Sequence, residues 1–502
     1  MGLVRQPPRY VVACMLCSCG GLLFGMDTGI IGPVTVMKNF VSQFGSQSAT
    51  IHGLLVSSIL IPAAISSFFA GLLADKLGRP KAISIGTLTF GLGAALEAAA
   101  VHISMFVVGR CIEGIGEGLY LGTLVVYICE ISPTSVRGTL TTGPQLLITL
   151  GLVIGFFTCY GTARIGSSFS WRAPFLILAS LAVTFSVVSW LWLPPSPRWL
   201  KLHGRESEAN HVWDQLGVSQ AEREKVENEA DRGTNLQRAS QDAPAIPPAD
   251  TSVSSARSQD KSVKNKLFDI FSRDVRARTA LAVFLMGMQQ LSGIDGVLYY
   301  APLLFEQAGL ASADASFFAS GVSALVIFAV TIPALIWADK WGRRHSTVYG
   351  GIGLSITMFL MGALYAGHAV HSSTGAGRWV VIVSIYIFAV IYSLSWAVGI
   401  KIYAAEIQPQ RTRASATSLA HGSNWAANFL VALTTPILLS KSSFGAYFLF
   451  GGCTLITAII CAVFMPETKG RSLDEIEEAF KSRSLRSQSF MKAIRPFTRK
   501  PE

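Results

Sequence analysis

GLLADKLGRPK (71–81) is answered far along the chain by ALIWADKWGRR (334–344). Each segment begins apolar and ends in Asp-Lys-x-Gly-Arg, so each reads as the polar end of a buried helix. A second echo joins EISPTSVRG (130–138) to EIQPQRTRA (406–414). Both pairs recur in the same order and at equivalent places, which marks the chain as a duplicated unit.

Outward from these segments the sequence is mostly apolar. A membrane span needs about 20 apolar residues, and that window predicts helices near 10–33, 52–74, 82–101, 104–129, 139–162 and 172–193. After a polar break it predicts six more, near 278–305, 315–338, 347–367, 379–404, 412–437 and 444–465. Hydrophobic residues make up 51% of the 502 residues and charged residues 14%. A water-soluble surface needs more charge than that. The 46 glycines suit close helix packing in lipid.

The net charge of +11 raises the question of nucleic acid. Its residues lie between apolar runs and not along one face, so no nucleic-acid partner is expected. The eight cysteines fall inside apolar segments, and Cys14, Cys17 and Cys19 lack His or carboxylate partners at ligand spacing. They read as small packing residues, with no metal and no cofactor. The run from Tyr10 is too long for a cleaved signal peptide. No Asn-x-Ser/Thr acceptor marks an outer loop.

Lys and Arg set the orientation. With the N-terminus inside, the inner loops carry Lys76, Arg79, Lys81, Arg137, Lys340, Arg343, Arg344, Arg411 and Arg413. The outer loops carry Lys38, Arg164, Arg172, Arg378 and Lys441. Both termini and the long loop are therefore expected in the cytoplasm. The division expected is a six-helix bundle at 1–193, a loop at 194–277, a second bundle at 278–465 and a tail at 466–502. Within the loop, 197–232 is charged and helix-compatible, whereas 237–262 reads as a disordered linker. SLDEIEEAF (472–480) reads as a short amphipathic helix.

The motifs then become specific. GGLLFGMDTGIIG (20–32), DKLGRPK (75–81), GRCIEGIGEG (109–118), YICEISPTSVRG (127–138), QLLITLG (145–151) and PPSPRWL (194–200) occupy the first half and the start of the loop. QQLSGIDGVLYYAP (289–302), DKWGRR (339–344), NWAANF (424–429) and PETKGRSL (466–473) follow in the second half. In this order they make the chain resemble the sugar-porter branch of the major facilitator superfamily, most of all its fungal hexose transporters. The resemblance implies an all-α membrane protein of 12 spans in two six-helix bundles, probed by alternating access with a solute bound between the halves. It also implies sugar transport by proton symport, a monomer and residence in the plasma membrane. The partners expected are a small solute (sugar, polyol or sugar acid), protons and the lipid bilayer.

Physical chemistry and the resemblance together nominate residues. Asp27 lies deep in the first span, where an ionisable group is costly and reads as functional. Arg110 is its expected partner, and in proton-coupled relatives an Asp and an Arg at these motif positions form the proton switch. The resemblance places Gln145, Gln289, Gln290, Tyr299, Asn424 and Asn428 at or beside sugar contacts, with Trp425 as an aromatic wall and Ile148 lining the same cavity. Amides suit hydroxyls because they both donate and accept. Asp75 with Arg79, Glu130 with Arg137, Asp339 with Arg343 and Glu406 with Arg413 are the expected cytoplasmic gate. Pro80 stands where the family usually has a basic residue.

Three departures concern the substrate site. Asp295 stands where the family usually has Asn, Ile327 replaces an Asn, and Lys401 replaces the Trp that floors the pocket. Ala397 and Val398 replace the neighbouring Gly-Pro. Asp295 and Lys401 can form a salt bridge that shapes a neutral site, Lys401 can receive a substrate carboxylate, or ion coupling can be relocated here. Glu113 and Glu117, one turn apart beside Arg110, can extend the proton path or simply neutralise Arg110, and Glu97 can do neither by itself; sequence alone gives these three no firm account. Other readings are a transporter of a sugar acid or cyclic hydroxy acid, an exporter of a specialised metabolite, or a non-transporting sensor. An enzyme is not expected, since the chain carries no nucleophile–base set, nucleotide loop or metal set.

Overall fold

The computed structural model describes residues 8–133, 135–224, 272, 275–310, 313–337, 341–370, 375–409, 412–469 and 480, without the side chains of 313, 314, 413 and 414. Twelve helical rods run through them. The first six are α1 (Arg9–Val36), α2 (Ala49–Leu77), α3 (Arg79–Ala98), α4 (Ile103–Ile131), α5 (Arg137–Thr162) and α6 (Phe169–Trp192). The second six are α7 (Arg276–Tyr299), α8 (Ala313–Trp337), α9 (Arg343–Ala366), α10 (Gly377–Glu406), α11 (Arg413–Lys441) and α12 (Gly445–Phe464). Each coincides with an expected span.

Packing repeats the duplication seen in the sequence. In the first bundle α1 packs on α5, α2 on α4, and α3 on both α4 and α6. In the second, α7 packs on α11, α8 on α10, and α9 on both α10 and α12. Two buried clusters centre on the two bundles and reach across the seam, with Tyr299, Tyr300 and Ala432 joining the first and Leu152 and Phe156 the second. Lipid removes most of the hydrophobic drive between helices, so close approach has to supply the attraction. The α1–α5 seam does this with glycine: a Cβ on Gly25 would strike the Ile148 carbonyl, and one on Gly151 the Leu22 carbonyl. Large apolar side chains such as Phe68, Leu72, Trp192, Ile356 and Ile459 instead lie exposed on the outside. A patch of that extent suits hydrocarbon, not water.

Helix α7 departs from the expected unbroken span. It is helical over Arg276–Gln290, breaks, resumes over Ile294–Tyr299 and continues as a separate turn over Ala301–Gln307. Gly293 makes the break, with φ of +86°. Only glycine adopts this conformation freely, and a Cβ there would also press on the Phe450 ring at 2.6 Å. Irregular backbone at membrane depth is tolerated where it is buried in protein or lines a cavity.

The bundles meet at the end that carries Val36, Ala49 and Tyr299. A Cβ on Gly32 of α1 would hit the Tyr299 carbonyl, and one on Gly53 of α2 the Leu433 carbonyl of α11. A Cβ on Gly321 of α8 would lie 3.2 Å from the Phe157 ring of α5. Toward the opposite end Lys401 and His421 are exposed. The seam is thus sealed at one end and wet toward the other.

The polar loop begins with helices Pro197–Leu202 and Glu206–Leu216, as its charge pattern predicts. The expected linker at 237–262 and the tail helix at 472–480, apart from Phe480, lie outside the described residues.

Candidate functional site

The broken α7 and the facing part of α11 bring the expected amides together. Gln289 donates from Nε2 to the Trp396 carbonyl at 2.7 Å, and its Oε1 accepts from Asn424 Nδ2 at 3.2 Å. Gln290 donates to Asn424 Oδ1 at 3.3 Å. Asn424 also donates to the Met286 carbonyl at 2.9 Å. Gln289 is buried and anchors the group, whereas Gln290 and Asn424 are half-buried with surface left over. Both Asn424 Nδ2 donors are spent within the group, whereas Gln290 Oε1 has no hydrogen-bond partner.

Beyond the break, Asp295 and Tyr299 face inward. Tyr299 is buried beside Asn428, whose Oδ1 is buried with no hydrogen-bond partner. Trp425 stands edge-on to Phe24 of α1, ring centroids 6.5 Å apart, and so closes the gap between bundles. Gln145 and Ile148 lie half-buried on α5, away from the amide group, and Gln145 makes no hydrogen bond among the described residues.

Asp295 and Lys401 lie within electrostatic reach of each other. No ion pair within 4.0 Å joins them among the described residues, and Asp295 Oδ2 has no partner. His421, which sequence reasoning passed over, lies within reach of the Lys401 charge. Its signal was available: an imidazole in an apolar span three residues before NWAANF. Ile327 is buried in α8.

Asp27 and Arg110 form a buried ion pair in the first bundle. The Arg110 Nη1 donates to Asp27 Oδ1 at 2.6 Å, and both side chains are at most 4% exposed. Arg110 also reaches Glu113 at 3.0 Å. Burial of an unpaired charge is costly, so mutual neutralisation keeps both groups inside the bilayer.

The loop motifs assemble at the wet end. Arg79 lies between two acids, 2.8 Å from Asp75 and 3.0 Å from Glu130, and so ties the end of α2 and the start of α3 to the end of α4. In the second bundle Arg343 reaches Glu406 at 3.3 Å. These described ion pairs each stay within one bundle. Asp339 lies outside the described residues, as does the Arg413 side chain, and Arg137 is half-buried at the start of α5.

Glu467 of the PETKG segment has a role that motif reading missed. Its carboxylate accepts the backbone N–H of Arg343 at 2.7 Å and of Arg344 at 3.1 Å, capping α9 from the far end of the chain. Thr468 donates from its hydroxyl to Glu406 at 2.6 Å. Burial alone would push the Glu467 carboxyl up, but N–H donors from Lys469, Arg343 and Arg344, with His345, hold it below its ordinary value of 4.5. A depressed carboxylate stabilises fully above the ordinary value and loses its contribution as pH falls through the depressed one. Glu467→Ala is therefore expected to cost about 1–2 kcal/mol. A melting comparison in detergent should show the full loss at pH 7, shrinking only below the ordinary glutamate range.

The comparisons with known proteins agree with this geometry. The family described as "Sugar (and other) transporter" matches residues 13–480. Sugar transport protein MST7 of Oryza sativa subsp. japonica is 31% identical over 490 residues, covering 93% of this chain and 90% of that protein. Hexose transporter 2 of Kluyveromyces lactis is 29% identical, covering 93% and 82%. Among solved structures, the proton:xylose symporter XylE bound to 6-bromo-6-deoxy-D-glucose superposes with a TM-score of 0.74 at 25% identity, covering 94% of this chain and 99% of XylE. The inward-open form of XylE from E. coli superposes with a TM-score of 0.72, at 23% identity, covering 94% and 99%. Twelve rods in two repeated bundles, a glycine-broken α7 and a match over nearly the whole length lead to one assignment: the chain belongs to the sugar transporter family and has the major-facilitator fold.

Proposed function

We propose that the protein carries a monosaccharide or related polyol across the plasma membrane, coupled to protons, by alternating access between its two bundles. The observation that carries the reading is the buried Asp27–Arg110 pair at 2.6 Å. An acid beside a guanidinium is ionised, and it takes a proton when the pair separates. Gln290 and Asn424 supply donor and acceptor groups for hydroxyls, with Trp425 as the apolar wall. Gln145, Ile148, Gln289, Tyr299 and Asn428 complete the proposed substrate set, Gln289 as an anchor. The wet end is the cytoplasmic end, where both termini lie, and the motif pairs around Arg79 and Arg343 brace it. The division into bundles at 1–193 and 278–465 with a loop and tail between and after them goes with this reading. The protein works as a monomer, without nucleic acid.

A second reading concerns substrate charge. Lys401 is exposed, with its ammonium unpaired among the described residues, near His421 and Asp295. That arrangement favours a sugar bearing a carboxylate, in place of a plain hexose. Proteoliposomes loaded with a pH dye and challenged with D-glucose, D-xylose, polyols and D-glucuronate separate the two. Acidification with a neutral sugar supports the first reading, and acidification with glucuronate alone supports the second. Uptake of any of them without acidification refutes proton coupling.

A further inference from the structure

Three acids of the first bundle take no part in the mechanism above. Glu97 on α3 and Glu113 and Glu117 on α4 are fully buried. They meet because α3 and α4 approach closely at glycines: a Cβ on Gly93 would lie 2.7 Å from Glu113 Cα, and one on Gly109 would lie 2.7 Å from Glu97 Cγ. The Glu97 and Glu113 carboxyls therefore abut.

Arg110 is the cation that the described ion pairs set against them. Its Nη1 lies 2.6 Å from Asp27, 3.0 Å from Glu113 and 3.9 Å from Glu97. One guanidinium neutralises one carboxylate, and further bare charges at membrane depth are too costly to keep. The remaining carboxyls therefore hold protons, and Glu113 holds one against the same nitrogen as Asp27.

Two more groups extend the set. Both oxygens of Glu117 are buried without a hydrogen-bond partner. The Tyr120 hydroxyl is likewise buried and unpartnered, within electrostatic reach of Glu117, Glu113 and Asp27. The charge of Glu117 in turn reaches the Tyr299 hydroxyl on α7, at the substrate site of the other bundle. Glu117 and Tyr120 thus lie within electrostatic reach of Asp27, and Glu117 also of Tyr299, with no hydrogen bond between them among the described residues.

We propose that Glu113 is a proton relay for Asp27, with Glu117 and Tyr120 as its link to the substrate cavity. This rests on the proton-coupled reading. In the step, a proton leaves the Glu113 carboxyl for the Asp27 carboxylate, and the negative charge moves to Glu113. Arg110 keeps one carboxylate partner through this transfer, so the transfer itself creates no bare charge. Glu117 then passes its proton to Glu113 and takes one up from the substrate side, so Glu117 stays neutral, the site gains one proton and Arg110 is released from its pair. The titratable and charged groups facing Glu113 are Asp27 from α1, Glu97 from α3, and Arg110, Glu117 and Tyr120 on α4. From α2, among the described residues, come backbone carbonyls: Val56, which accepts from Arg110, Ser58, which accepts from Cys111, and Ile59 beside Gly114. From α7 the nearest is Tyr299, through Glu117.

The test uses the full chain in dye-loaded proteoliposomes with whichever of D-glucose, D-xylose or D-glucuronate the wild type accumulates. Glu113→Gln is isosteric, so a merely packing role predicts little change. The relay predicts that it slows solute-driven acidification by about tenfold, shifts the pH of half-maximal uptake, and lowers counterflow much less. Glu113→Asp should restore much of the acidification. Glu117→Gln breaks no ion pair and should give the same pattern more weakly, which keeps the test open if Glu113→Gln does not fold. Wild-type acidification and pH profile in both Gln variants overturn the relay alone. Solute exchange without acidification by the wild type overturns proton coupling and the relay together.

Discussion

Asp27→Asn is expected to abolish accumulation of solute against its gradient while sugar exchange across the membrane continues. The Asn side chain fills the same space and still accepts a hydrogen bond from Arg110 Nη1, now 2.6 Å from the Asp27 oxygen. It cannot take or release a proton, so the step that ties solute to the proton gradient is lost. Counterflow at equal pH on both sides should persist, whereas uphill uptake under an inward proton gradient should fall by about a hundredfold. Unchanged uphill uptake in this variant would rule out Asp27 as the coupling acid. Loss of both activities would indicate a structural pair, not a switch.

Removing the other partner should have a different consequence. Arg110→Gln leaves the Asp27 carboxylate buried without its counter-charge. Breaking a buried pair from one side typically costs about 3–5 kcal/mol, a large share of the margin of a folded protein. The expected result is a clearly lower melting temperature in detergent and poor yield, together with loss of transport. The double variant Asp27→Asn/Arg110→Gln should recover part of that stability, because it removes the stranded charge. A single variant as stable as the wild type would show that the acids of this site do not depend on Arg110 for their burial.

These two variants separate chemistry from architecture at one contact. Asp27→Asn keeps the geometry and removes the proton, and Arg110→Gln removes the charge that makes the geometry tolerable. The order of effects follows from burial: both side chains lie at membrane depth and are nearly inaccessible. Water cannot substitute for either partner.

Substrate identity depends on a different balance. Asp295 and Lys401 lie within electrostatic reach without closing on each other, and His421 lies within reach of the Lys401 charge. A solute carboxylate would give Lys401 the partner it lacks. A neutral sugar would leave its charge to water entering from the wet end.

Much of the architecture was legible in the residues themselves. Apolar runs of span length placed all twelve rods, because a helix in lipid must be apolar along its length. The repeated Asp-Lys-x-Gly-Arg and Glu-Ile segments disclosed the duplication, which the matching helix contacts of the two bundles bear out. Asp27 and Arg110 stood out because ionisable groups in spans are rare, and the fold does bring them together. Motif resemblance also selected Gln289, Gln290 and Asn424, which share one hydrogen-bonded group.

What tertiary structure alone decided concerns contacts made between segments distant in the chain. Periodicity could not foretell that α7 breaks at Gly293, since a short apolar run before and after a glycine also suits a continuous helix. Nothing local in PETKG says that Glu467 caps a helix more than a hundred residues earlier in the chain. Likewise, the sequence put Glu113 and Glu117 one turn apart beside Arg110, open to extending the proton path or to neutralising Arg110, but could not place Glu97 against them. Only the close approach of α3 to α4, made possible by glycines on both, sets Glu97 and Glu113 against each other and against Arg110. Composition determined that this chain lives in a membrane and how many times it crosses; which charges meet inside was decided by how closely its helices could pack.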